Sequence, residues 1–393
     1  VMNQVEFDAM ALGNHEFDWG IETVMAYNDG ELTNGEATFP LLNANIINKS
    51  TQEPAWFHQP YHVVIKENIK VGIIGLMGFG LESSIAAQMI KDYAFTSPVT
   101  AAANYAEVLR TQENVDIVIA LGHFADDSTN AQIAALQGNQ KVDAIINGHY
   151  HQSRSALLPR SVGVSVPVVE AGANGERVGK IELFLNSNKQ VTSVSATSVF
   201  MQSSIMPDPA VEAIISQAEV SVAPIMNRIY GELGENLSSR SDIVGWAPEV
   251  IQKGMGVDVG ITNLGGLRSG AFPMYAGADI TYRDMIALMP FDNYLIYMKL
   301  PGSFLYSYYS NLISVREGLT INNDNTLYRV AIVDYVADNN TVLFGSSKAE
   351  YTRTNILLMD LFALDVYEAT TKNGVWLPKT QGASLSSICT FRQ

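Results

Sequence analysis

The chain has 393 residues, 47% of them hydrophobic, and carries 40 acidic against 24 basic side chains for a net charge of −16. This length predicts two domains, each apolar enough to bury a core. The acidic balance argues against nucleic acid or an anionic membrane as the main partner, though not against a small anionic substrate that senses only the local field. The single cysteine, Cys389, excludes an internal disulfide and leaves no thiolate cluster for a metal. No apolar run approaches the roughly 18 residues that span a bilayer.

Taken in order, residues 8–12 read as a short apolar strand ended by Gly13, followed at once by Asn14-His15-Glu16-Phe17-Asp18. Asn14 offers a carbonyl oxygen suited to a cation. His15 carries a proton near neutral pH, and Asp18, three residues on, is placed to fix its tautomer. The same letters also read as a strand, a glycine turn and a capped helix. Residues 21–29 are expected to be helical, 30–38 a loop, and 41–46 a strand. Residues 61–77 read as two strands joined by a polar turn at 66–70. A helix over 100–111 leads into the strand 115–123, a β-α-β rhythm.

That strand closes on Gly122-His123, and the next apolar run, 142–152, closes on Gly148-His149-Tyr150-His151. Four of the six histidines thus stand just past strand ends that finish in glycine, which is hard to obtain by accident. Imidazole, carbonyl and carboxylate donors together suit a borderline divalent ion such as zinc, manganese or iron. The remaining two, His58 and His62, lie away from any such end and read as structural. Residues 166–169 and 180–185 continue the strands, and 191–200 alternates like an edge strand. Apolar positions recur at helical spacing over 207–229, with Pro224 as a kink or stop.

The second half carries different signals. The strand 257–262 runs into Asn263-Leu264-Gly265-Gly266-Leu267-Arg268, where a glycine pair lets backbone approach a ligand and Arg268 offers a fork to an anion. A tight turn with a surface arginine is the plainer alternative. Phe291, in Pro290-Phe291-Asp292-Asn293, is either a stacking platform or a core ring. The segment 357–366 reads as a packed helix. There is no internal repeat or low-complexity tract.

These motifs resemble the calcineurin-like metallophosphoesterases, and more closely the 5'-nucleotidase family. The resemblance implies an α/β architecture. A four-layer metallophosphoesterase sandwich occupies 1–205, lacking its first strands; a connecting helix, 206–230; and a second α/β substrate-binding domain, 231–393. In that family two metal ions clamp a phosphate and a water. The resemblance implies Asn14, His123 and His149 as ligands of one ion and His151 as a ligand of the other. It gives His15 and Asp18 the role of stabilising the transferring phosphoryl group and protonating the leaving oxygen. Arg240, Asn263, Gly265, Gly266, Arg268, Phe291, Asn293 and Tyr335 match its nucleotide-binding positions.

Two departures qualify this. The family's Asp-x-His and Gly-Asp motifs, expected upstream of Gly13, are not in the chain, so at most one weakly held ion and little activity are expected of it. Asn339, Asn340 and Thr341 stand where Gly-Gly-Asp is usual, which unsettles ribose recognition. The implied function is metal-dependent hydrolysis of nucleotide phosphate esters, in a periplasmic or extracellular setting. A 2',3'-cyclic nucleotide or nucleotide-sugar substrate, or nucleotide binding without catalysis, are the alternatives.

Overall fold

Strand Ile117–His123 lies inside a six-stranded sheet, in the order Tyr61–Lys66, Ile69–Met77, Ile117–His123, Ala144–Asn147, Val166–Ala171, Ser153–Leu158. In this computed structural model, which describes all residues except 125, 308–311, 340–350, 387 and 389–393, that sheet belongs to the first of two units, Val1–Ile215 and Ser216–Gln393. The four inner strands are parallel and the two outer ones antiparallel. Helices Pro98–Thr111 and Asp127–Ala134 lie between successive parallel strands in the chain. The first is started by Ser97, whose hydroxyl accepts from the Thr100 N–H, with Pro98 pre-set for a first turn. The second is started by Asp126, which accepts from the Thr129 N–H at 2.7 Å.

Parallel pairing sets the register that matters most. Met77 pairs with His123, Gly122 with Asn147, and Asn147 with Glu170, so the carboxyl ends of four strands lie side by side. Strand Met10–Ala11 pairs in parallel with Leu41–Leu42. The latter strand packs against the sheet at Gly75, where a Cβ would lie 2.3 Å from that of Leu42. Only a glycine permits this approach, and it brings the start of the chain to the same strand ends. The hairpin Arg177–Leu185/Val191–Phe200 packs beside the last strands, with Gly179 close to Val169.

In the second unit a five-stranded sheet runs Ile313–Val315, Val259–Ile261, Leu327–Val333, Tyr294–Pro301, Tyr351–Leu357. Helices Trp246–Met255 and Leu358–Asn373 supply buried apolar residues to the same core. The two helices are tied by the Trp246 indole N–H, which donates to a buried Asp365 oxygen at 2.7 Å.

Several expectations are corrected in detail. The helix expected over 21–29 ends at Met25 and is followed by the left-handed Gly30. The single strand over 41–46 is two, Leu41–Leu42 and Ile46–Asn48. Buried Asn43 and Asn45 divide it, because their side chains are engaged by other segments: Asn43 donates to the Phe57 carbonyl and Asn45 accepts from the Met77 N–H. The expected helix of 357–366 begins at Leu358 and runs on to Asn373. Pro224 lies inside the helix Pro209–Met226, which spans the boundary between the units and has no buried residue. His58 is half-buried, its Nε2 2.9 Å from the Tyr105 hydroxyl.

At Gly260 a Cβ would stand 2.2 Å from the Pro248 carbonyl oxygen and 2.5 Å from the Gln252 nitrogen, so helix and strand touch through backbone. Gly260→Ala is expected to destabilise the second unit by about 2–3 kcal/mol or more, read as a lower urea midpoint.

Candidate functional site

Gly13 begins a 3-10 turn, Asn14–Phe17, and the Glu16 carboxylate caps it by accepting from the Gly13 N–H at 2.7 Å. Phe17 is fully buried against Phe57, Tyr93 and Phe95, which anchors the turn. Asn14 is thereby turned inward and is 1% exposed. Its Oδ1 lies 2.7 Å from His123 Nε2 and 3.3 Å from His149 Nδ1, and those two nitrogens are 3.2 Å apart. A Cβ on Gly13 would come within 2.8 Å of the His123 ring, so this residue must be glycine for the rings to approach.

Three donors from three strand ends therefore meet at one point. A tetrahedral ion with bonds of about 2.0–2.1 Å holds its ligands about 3.3 Å apart; both separations to His149 Nδ1 match this, while the 2.7 Å between Asn14 Oδ1 and His123 Nε2 is a hydrogen-bond distance that an ion would widen. Among the described residues no group of three or more His, Cys, Asp or Glu is placed to hold a metal; the present set has two histidines, and its third donor is an amide oxygen. Burial pushes the His123 imidazole down to about 4, assisted by charge on His149, His15 and His151. Burial also lowers His149, again with help from His15 and His151. Both rings are accordingly neutral at pH 7 and keep a lone pair for a cation.

His149 and His151 have φ of 88° and 58°. Left-handed backbone at a non-glycine residue costs on the order of 1–3 kcal/mol and is kept where the surroundings impose it. His151 is exposed, and among the described contacts no hydrogen bond joins it to the three donors. His15 Nδ1 is 2.7 Å from Asp18 Oδ2, and its side chain is about half exposed, so the pair stands at the rim.

The other candidate residues lie in the second unit, several of them at or beside the turn Leu264–Gly266. Asn263 precedes it, and its amide folds over Gly266, where a Cβ would meet Asn263 Oδ1 at 3.0 Å. Gly265 is exposed and a Cβ there would make only ordinary contact. Arg240 donates through one guanidinium nitrogen to the carbonyls of Leu264 and Leu267, at 3.2 and 3.3 Å, and so braces this turn. Arg268 lies over the Phe291 ring, 5.6 Å from its centroid, and its backbone N–H donates to Leu288. Asn293 accepts through its backbone from Leu358. Tyr335, partly buried, follows Asp334, whose Oδ1 accepts from the N–H groups of both Tyr335 and Tyr294.

Sequence reasoning missed this Asp334, which Arg353 also holds at 3.3 Å, and Asp338, held at 2.5 Å. No local pattern marks pairs so far apart in the chain. Asn340 and Thr341 lie outside the described residues, as does Cys389, and the side chain of Asn339 is likewise not described.

Comparison with known proteins gives a consistent picture. Residues 221–318 match the family model of the 5'-nucleotidase C-terminal domain. Protein UshA of Yersinia enterocolitica is 26% identical over 86% of this chain and 72% of its own length. The human 5'-nucleotidase is 27% identical over 77% of this chain and 57% of its own. Several of these relatives are much longer: the chain spans 26% of the Bacillus subtilis endonuclease YhcR and 44% of the Listeria cell wall protein Lmo0130.

The 5'-nucleotidase precursor of Thermus thermophilus superposes with a TM-score of 0.73 at 19% identity, over 100% of this chain and 85% of that one. The sulfate thiohydrolase SoxB of the same organism superposes at 0.67 and 15% identity, over 100% and 75%. The fold is thus the two-unit α/β architecture of metallophosphoesterase and C-terminal domain seen in 5'-nucleotidases. More particularly, the chain is similar to the 5'-nucleotidases, and its residues 221–318 match their C-terminal domain.

The lowered imidazoles define a pH response. A histidine whose folded pKa falls below its unfolded value of 6.5 costs no stability above that pH. Below it the unfolded chain takes up the proton first, and stability drains away until the folded group titrates. In metal-free protein the His123 ring resonances are expected to titrate near 4 by NMR. The first unit should lose on the order of 2–3 kcal/mol of stability between pH 6.5 and 4 through this group.

Proposed function

We propose that the protein is a metal-dependent phosphohydrolase acting on nucleotide phosphate esters, of the 5'-nucleotidase type. The observation that carries this is the meeting of Asn14 Oδ1, His123 Nε2 and His149 Nδ1 within 3.3 Å of one another. These residues would hold one divalent ion, zinc or manganese by donor type, with His151 available to a second. When bound, such an ion polarises the phosphoryl oxygens and lowers the pKa of a coordinated water. The names of the relatives support the substrate class, since several are 5'-nucleotidases and one is an apyrase.

The chain's own groups supply the rest. His15, held by Asp18, gives a proton to the departing ester oxygen, and the pair's place at the rim leaves it within reach of substrate. Arg268 presents a guanidinium to the anion while its face rests on Phe291, and the aromatic rings of Phe291 and Tyr335 take the base. Arg240 holds the turn Leu264–Gly266 in shape and keeps further N–H groups for the ligand. The proposed setting is periplasmic or extracellular, supported by the cell wall relative; no helix among the described residues is long and apolar enough to cross a membrane.

His149→Ala should abolish binding of Zn²⁺ or Mn²⁺ by equilibrium dialysis. His15→Ala should leave metal binding intact and lower kcat by about 10²–10⁴-fold. Arg268→Ala should raise KM with kcat little changed. Turnover of AMP ahead of 2',3'-cyclic AMP and UDP-glucose is expected. Binding of AMP with no turnover of any of the three, by the full-length protein loaded with metal, would overturn the hydrolase reading.

A further inference from the structure

A buried polar group behind the histidine loop takes no part in the mechanism above. Glu170 is 1% exposed, on strand Val166–Ala171, and pairs in parallel register with Asn147, the residue before Gly148-His149. One of its oxygens accepts from the Gln152 N–H at 3.3 Å, while the other has no partner among the described residues. The Gln152 carbonyl in turn accepts from the Gly172 N–H at 2.9 Å. At the other end of the loop the Gly148 N–H donates to the Gly122 carbonyl at 3.1 Å. Asn147 is braced from below, its amide donating to Asn130 Oδ1 at 2.9 Å, with both side chains buried.

The loop 148–152 is therefore pinned at both ends, and between the pins stand the two histidines in left-handed backbone. That backbone relaxes unless something outside the loop opposes it. Backbone hydrogen bonds at 148 and 172 fix where the chain enters and leaves. The Glu170 carboxyl accepts from Gln152, the residue directly after His151. Burying such a group with half of its acceptor capacity unmet is unfavourable, and a purely structural strand position would avoid it with an apolar residue.

We infer that Glu170 is a positioning residue for the metal-binding loop, with Asn130 as its counterpart under Asn147. It acts by accepting the Gln152 N–H and so holding His149 and His151 in their strained, donor-presenting conformations. This rests on the metal reading only for its consequence, not for the contact itself.

The experiment uses the full chain and three variants: Glu170→Ala, Glu170→Gln and, as a volume-matched control without an acceptor, Glu170→Met. Amide hydrogen exchange at Gln152 is measured without added metal, and Zn²⁺ affinity by calorimetry. Removing the acceptor should speed Gln152 exchange at least tenfold while the central strand Ile117–His123 stays protected. Zn²⁺ affinity should fall by about 10–100-fold, as for other groups that orient metal ligands. Glu170→Gln keeps an acceptor oxygen and should restore both. Should Glu170→Ala fail to fold, Glu170→Met carries the comparison. Unchanged exchange in the folded acceptor-less variants, or a Gln variant as impaired as the Met one, would overturn the inference. If wild-type chain takes up no Zn²⁺, the metal reading fails by itself, and the exchange arm still decides the role of Glu170.

Discussion

Parallel strand pairing is the constraint from which the first unit's chemistry follows. In a parallel ladder the carboxyl ends of successive strands finish on one edge, and here the register sets Met77, His123, Asn147 and Glu170 at that edge across four strands. Each strand can therefore deliver the residue that follows it into a shared space without any long excursion of chain. The donors meet because the sheet makes their starting points neighbours. A shift of one residue in any pair would turn the strand's side chains to the other face and break the arrangement.

Glycine makes the convergence sterically possible. Gly75 lets Leu42 pack against the sheet, and this carries strand Met10–Ala11 to the strand ends. Gly13 lets the His123 ring come up against the turn that holds Asn14. Gly122, where a Cβ would fall 2.1 Å from the Phe124 ring, lets that ring fold back into the core directly after His123. The sequence shows these as glycines before polar residues, and that is why Asn14, His15, His123 and His149 stood out by composition alone. What the letters did not show is the support. The Glu170 contact with Gln152, the Asn130–Asn147 pair and the Asp334–Arg353 pair join residues 17 to 19 positions apart with no local pattern to mark them.

The strands were legible where both faces are buried, as in Ile69–Met77 and Ile117–His123, because continuous apolar runs ended by glycine leave little choice. They were illegible where buried polar residues interrupt them. Asn43 and Asn45 break the 41–46 segment because their amides serve Phe57 and Met77, a tertiary demand that overrides local preference. Helix Asp127–Ala134 escaped notice for a related reason: of its residues only Asn130, Ile133 and Ala134 are buried, too few to print a periodic stripe. Trp246–Met255 is buried on most sides, and its polar face is narrowed to Glu249 and Lys253, which pair across one turn.

Charge closes the argument about ligand class. With a net charge of −16 the chain repels a phosphate at long range, yet at physiological ionic strength that field is screened within about 8 Å. An anionic substrate is then held by whatever lies in direct contact. In the first unit the neutral rings of His123 and His149 each keep one lone pair and one N–H, and carry no fixed positive charge with which to hold an anion. In the second unit Arg240 and Arg268 are fixed cations, one braced by two carbonyls and the other resting on an aromatic face. Each unit thus attracts by a different physical means, the first through lone pairs and the second through fixed guanidinium charge.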